Sequence, residues 1–347
     1  MIQFIGLHLG RDSAAAIILG RDLQVWAHSH ARVVNTASEG LDEAIQVPVA
    51  EWLRAGSFAL QEAYFQLPVN SRKTWGVGLA GPSGFVALDV DFKPLSPLLL
   101  TSDLRWKEEL KAWRDFNPRL TRKVSVVLSP KDYFRFALSG GLAADVATAS
   151  RLDLLRARES HWSEERVREA GLERKWLPPV FDAHVPTGRL SEEGMRRTSL
   201  PGGLWLVAGA HETESALVAA GDLRDGRLRL VARAGGRALL ALDVPHLEPV
   251  AVPSGWRLVR SALAGRQVLE KDVGGTGPGA PAEGGEPGEE NPALAAAREE
   301  LEAAGHAVRG AEVVLDWSPE AGAAALAGIG SGLVKGWDAY YKSLSAV

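Results

Sequence analysis

The stretch FIGLHLGRDSAAAIILGRDLQVWAHSH (residues 4–30) alternates apolar runs with short polar turns. One apolar run ends at Gly10, the turn Gly10-Arg11-Asp12-Ser13 follows, and a second run ends at Gly20-Arg21-Asp22. Apolar runs of strand length punctuated by Gly and Asp predict strands over residues 2–8, 14–19 and 23–34, joined as hairpins. The Gly10 turn has the size to aim backbone N–H groups at an anion. Far along the chain, RLRLVARAGGRALLALD (residues 227–243) repeats the theme of strand, Gly-containing turn and strand. Two similar hairpins about 220 residues apart imply two related domains facing each other across a cleft.

The sequence between them fills in a mixed α/β pattern. Residues 49–67 carry apolar positions at helical spacing and predict an amphipathic helix. TWGVGLAG (74–81) and FVALDVDFKPL (85–95) read as strands around a loop at 82–84. Residues 103–176 read as helical, with breaks at Pro118, Pro130 and Gly140-Gly141. GLWLVAGAHETESALVAAG (203–221) passes from strand through a turn into a helix. Residues 273–292, rich in Gly, Pro and Glu, read as a solvated linker. A helix over 292–305, a strand over 311–317 and a small-residue helix capped by Ser318 complete the chain.

Composition narrows the function classes. Net charge is −4 with 46% apolar residues, an ordinary globular balance that favours neither nucleic acid nor anionic membrane as a partner. No apolar run approaches the ~20 residues of a membrane span, and no signal peptide is recognisable, so a cytoplasmic location is expected. The absence of cysteine excludes disulfides and thiolate metal sites. Low Met, no Cys and an excess of Arg over Lys point to a thermophilic source.

Several passages resemble the FGGY carbohydrate kinases, the family of xylulokinase-, ribulokinase- and glycerol kinase-like enzymes. PKDYFRFALSGGLAADVATASRLDLL (130–155) is similar to that family's "PKDYLRYRLTGE…TDYSDAS" passage. GLDEAIQVPVAEW (40–52), HWSEERVREAGLERKWLPPVFDAHVPTGRLSEE (161–193) and GAAALAGIGSGL (322–333) follow in the family's order. The resemblance implies an actin-like ATPase (ribonuclease H-like) two-domain α/β fold. It places a sugar-binding N-terminal domain at 1–205 and a shortened C-terminal domain at 206–347, with the Gly/Pro-rich loop 273–292 inside the latter. It also implies sugar and ATP bound between the domains, with Mg²⁺ aiding transfer in active members.

Carried over residue by residue, the resemblance gives a mixed site. The first phosphate loop keeps Gly6, Gly10 and Ser13 but has His8 for a metal-holding Asp, Arg11 for Thr and Ala15 for Lys. The second has Gly235, Gly236 and Arg237 without the usual hydroxyls. Glu212 occupies the position of the catalytic base, one methylene longer than the family's Asp, so proton abstraction from a sugar hydroxyl stays open to it. Asp103 and Arg105 match a sugar-binding motif, and the shortened loop 80–84 leaves Ser83 as a polar candidate. Imidazole is a poor ligand for Mg²⁺, so no metal ligand is assigned. The expectation is a sugar- or anion-binding homologue with weak or absent transfer. The alternative is an active sugar or polyol kinase using ATP and Mg²⁺, with Glu212 as base.

The bland readings stand beside these. Arg11 and Arg237 either bind an anion in the cleft or pair with carboxylates such as Asp12 and Glu212. His8 reads as lining rather than catalytic, and His28-x-His30 as a solvated strand face with no third ligand. A scaffold acting through an oligomer interface, a homodimer included, is a third reading.

Overall fold

The computed structural model describes residues 2–34, 36–37, 45–100, 106–156, 159–219, 228–231, 237–245, 250–261, 266–273, 292–308, 311–314 and 318–332. The opening hairpins form as expected: β1 (Gln3–Leu9), β2 (Ser13–Gly20) and β3 (Val25–Arg32) run as an antiparallel meander. Helix α1 (Val49–Gln66) follows, then β4 (Thr74–Gly81), which pairs parallel to β1. The sheet is completed by β5 (Pro186–Arg189), β6 (Trp205–Val207) and β7 (Ala210–His211), in the order β5-β6-β4-β1-β2-β3 with β7 also on β4.

Both faces of this sheet are covered, which explains why β1 and β2 read as near-continuous apolar runs. The period-two alternation divides the side chains cleanly. Ile5, Leu7 and Leu9 join Trp52, Ala59 and Leu60 of α1 in one core. Phe4, Ile17 and Leu19 face the other way, into a core with Ala324, Leu326 and Ile329. Those last residues belong to a helix near the end of the chain, Pro319–Gly330. It lies backbone-close on the sheet: a Cβ at Gly6 would sit 1.8 Å from the Glu320 carbonyl oxygen, and one at Gly78 1.8 Å from that of Ala323. The small residues at both surfaces are therefore required by the packing. Gly78→Ala is expected to lower stability by ~1–3 kcal/mol through overpacking, read as a drop in thermal midpoint.

A second sheet repeats the logic of the first. It contains β8 (Leu228–Val231), β9 (Arg237–Pro245), β10 (Arg257–Arg260), β11 (Arg266–Asp272) and β12 (Ala311–Val314). Its order is β10-β11-β9-β8-β12. Strands β8, β9 and β11 form an antiparallel meander, and β12 lies parallel to β8 as β4 lies parallel to β1. This doubling of one strand pattern is the actin-like arrangement. Residues 205 and 206, where the two expected domains meet, are neighbours inside β6.

The structure differs from expectation at three places. The expected helical segment 103–176 contains helices at Trp106–Phe116, Pro130–Ser139, Val146–Arg151 and Glu164–Glu169, but also a strand at Val126–Leu128. The Val-rich run Val124-Ser125-Val126-Val127 suits a strand, and Val126–Leu128 pairs with Val86–Leu88. The expected strand 85–95 stops at Leu88, because the Asp89 carboxylate accepts from the Asp91 and Lys93 N–H groups and closes a turn. Ser318 occupies the N-cap of the final helix, yet its hydroxyl donates to Glu320 Oε1 at 3.1 Å and makes no cap bond.

Candidate active site

Parallel strands place their C-terminal ends on one edge, where ligands of open α/β sheets bind. Here the register does so residue by residue. His8 of β1 lies opposite Ala80 of β4, Ala80 opposite Ala210 of β7, and Gly81 opposite His211. Helix α2 (Glu212–Ala219) starts directly after His211. His8, the 80–84 loop, His211 and Glu212 thus converge although the chain separates His8 from Glu212 by 204 positions.

His8 Nε2 and Glu212 Oε2 are 2.9 Å apart, with side-chain exposures of 15% and 24%. The imidazole also lies against the Gly10 turn: a Cβ on Gly10 would stand 3.2 Å from His8 Cε1. The Gly10 N–H itself donates to the Ser13 carbonyl oxygen at 2.8 Å and closes the hairpin. Arg11, Asp12 and Ser13 are exposed at its tip. Ser83, by contrast, is 1% exposed, and its Oγ is 3.3 Å from His211 Nε2. Asp103, Arg105, Gly235 and Gly236 lie outside the described residues, and of Arg237 only its place at the start of β9 is described.

A buried charge network, unanticipated from sequence, supports this edge. Arg151 NH2 is 2.5 Å from Glu214 Oε1 and 2.6 Å from Glu270 Oε2, joining α2 to β11 of the second sheet. Arg257 Nε also contacts Glu270. Burial alone would raise the Glu214 pKa, but the Arg151 guanidinium outweighs it and the carboxyl is held at about 2. A second cluster sits beneath the 130–155 passage. Lys131 Nζ is 2.6 Å from Asp132 Oδ1 and 2.6 Å from Asp145 Oδ2, and donates to the Ala208 carbonyl at 3.2 Å. The strongest stretch of the family resemblance therefore builds the scaffold behind the site. Its Lys, Asp and Arg side chains are buried and bonded to one another.

The donor set bears on Mg²⁺. This small hard cation wants an octahedron of mostly oxygen ligands. The Gly10 edge supplies an imidazole and a carboxylate already hydrogen-bonded together. Among the described residues no group of three or more His, Asp or Glu side chains could hold a metal ion. At the His8 position the edge thus offers Mg²⁺ an imidazole rather than an oxygen donor, and the Glu212 carboxylate is engaged by that imidazole. No helix among the described residues is long and apolar enough to cross a membrane.

Comparison with known proteins agrees with this architecture. Residues 112–219 match the N-terminal domain of the FGGY family of carbohydrate kinases. The xylulose kinase of Klebsiella pneumoniae is 27% identical over 258 residues, covering 66% of this chain and 52% of that protein. The xylulose kinase of Bacillus subtilis is 23% identical, covering 65% and 51% respectively. The chain thus spans about half the length of these curated relatives. Among solved structures, a xylulose kinase from Brucella ovis has a TM-score of 0.76 at 18% identity, covering 99% of this chain and 98% of the other. Plasmodium falciparum glycerol kinase with ADP gives 0.78 at 14% identity, covering 99% and 92%. At such identities the structural likeness speaks for the fold.

Proposed function

Because the chain belongs to the FGGY family of carbohydrate kinases, we propose that it binds a sugar or an anion at this edge, with Mg·ATP-dependent phosphoryl transfer weak or lost. The observation that carries the reading is the 2.9 Å contact between His8 and Glu212. In an active member ATP supplies the phosphoryl group, and the carboxylate at position 212 takes the proton of the attacking hydroxyl. Here that carboxylate is engaged by an imidazole at the position where a metal-holding carboxylate would stand. Asp103 and Arg105 are the residues proposed to meet the sugar; Ser83, 1% exposed and bonded to His211, is not among them. Gly10, Arg11, Ser13, Gly235, Gly236 and Arg237 are those proposed to meet an anion.

The second reading, an active kinase with Glu212 as base, draws on the 24% exposure of that side chain. A carboxylate reachable from solvent can still accept a proton, with His8 orienting it. Titration calorimetry with xylulose, inorganic phosphate and Mg·ATP separates the two. Saturable binding of xylulose or phosphate without Mg²⁺, and none of Mg·ATP, is the expected result. Tight Mg·ATP binding would favour the active kinase and overturn the first reading.

A further inference from the structure

His211 joins the two segments that frame the proposed ligand edge. It ends β7 and stands immediately before α2, where the first helical N–H groups have no partner within the helix. The Thr213 N–H donates to His211 Nδ1 at 3.2 Å. A ring nitrogen that accepts a hydrogen bond carries no proton, so in the neutral ring the proton sits on Nε2. That Nε2 faces Ser83 Oγ at 3.3 Å, and an Nε2–H can only donate to it. The ring is 2% exposed, so water does not replace either partner readily.

We infer that His211 is a positioning residue: a neutral, Nε2-protonated imidazole that ties the 80–84 loop to the first turn of the helix bearing Glu212. One end of the ring caps α2, and the other holds the loop on which Ser83 stands. The distance between loop and base-position carboxylate is thereby set by one rigid aromatic ring. Glu214 Oε2 lies 3.5 Å from Nδ1, farther than the Thr213 nitrogen, and is itself bound to Arg151. The consequence for ligand affinity rests on the proposed sugar or anion site; the tie itself does not.

The two ends can be separated chemically. The Asn amide reaches about as far as Nδ1 and is a good helix cap, whereas the Gln amide reaches about as far as Nε2. Hydrogen exchange of the wild-type protein, His211→Asn and His211→Gln reads both ends without any ligand. His211→Asn is expected to speed exchange of the Gly81, Ser83 and Gly84 amides about tenfold while leaving the Thr213 amide protected. His211→Gln is expected to reverse that pattern. Side-chain ¹⁵N spectra of the wild-type protein should show His211 protonated at Nε2 and not at Nδ1, and this holds even where a variant fails to fold. Protonation at Nδ1, or unchanged loop exchange in His211→Asn, overturns the inference. Failure of wild-type protein to bind xylulose or phosphate would instead count against the proposed site and leave the tie standing.

Discussion

Arg151→Met is expected to destabilise the chain by about 3–5 kcal/mol, the usual cost of leaving buried charges without their partner. Arg151, Glu214 and Glu270 have side-chain exposures of 0%, 0% and 3%, so neither carboxylate can turn to water when the guanidinium goes. The loss should fall on the junction of the two sheets, since Arg151 bridges α2 and β11. Denaturant unfolding checks the size of the effect. Adding Glu214→Gln should restore part of the stability by removing the carboxylate left without its guanidinium, whereas Glu270 keeps Arg257; a double variant no better than Arg151→Met would contradict this account. The same network sets an acid limit. Glu214 is held at about 2 against an ordinary 4.5. A depressed carboxyl contributes stability that is full above the unfolded value and fades as pH falls through the folded one. Wild-type stability should therefore decline between about pH 4.5 and 2 more steeply than that of the double variant.

His8→Asp should change the ion preference of the cleft. The substitution brings a second carboxylate up to Glu212, and two such charges side by side demand a proton or a cation. Oxygen donors also match Mg²⁺ where imidazole does not. The variant is expected to bind Mg²⁺ at least tenfold more tightly than wild type, a free-energy change of ~1.4 kcal/mol or more. Isothermal titration at neutral pH measures it. Equal affinities would show that the 2.9 Å pair does not control metal binding.

How much of this was legible in the chain depends on the length of the pattern. Strands β1 to β3 and helix α1 are long enough for their periods to show, and the structure places them as expected. The segment 103–176 is cut into elements of two to eleven residues, and a three-residue strand such as Val126–Leu128 carries no readable period. The family resemblance singles out Glu212, and His8 as a departure from it. Their contact spans 204 positions and follows only from the β1-β4-β7 register. His211 sat in full view beside Glu212 without a role. A single His before a helix gives no spacing to read, and its contact with Ser83 follows only from the pairing of β7 with β4. The Arg151 network was hidden for a similar reason, since its members come from two helices and a strand of the second sheet.

The most direct test of the central claim is a phosphoryl-transfer assay with xylulose, labelled ATP and Mg²⁺, comparing wild type with Glu212→Gln. If the His8–Glu212 pair has displaced metal-dependent transfer, wild-type turnover should be within a few fold of the Glu212→Gln background. Wild-type transfer exceeding that background by a thousandfold or more would contradict the account and make Glu212 a working base.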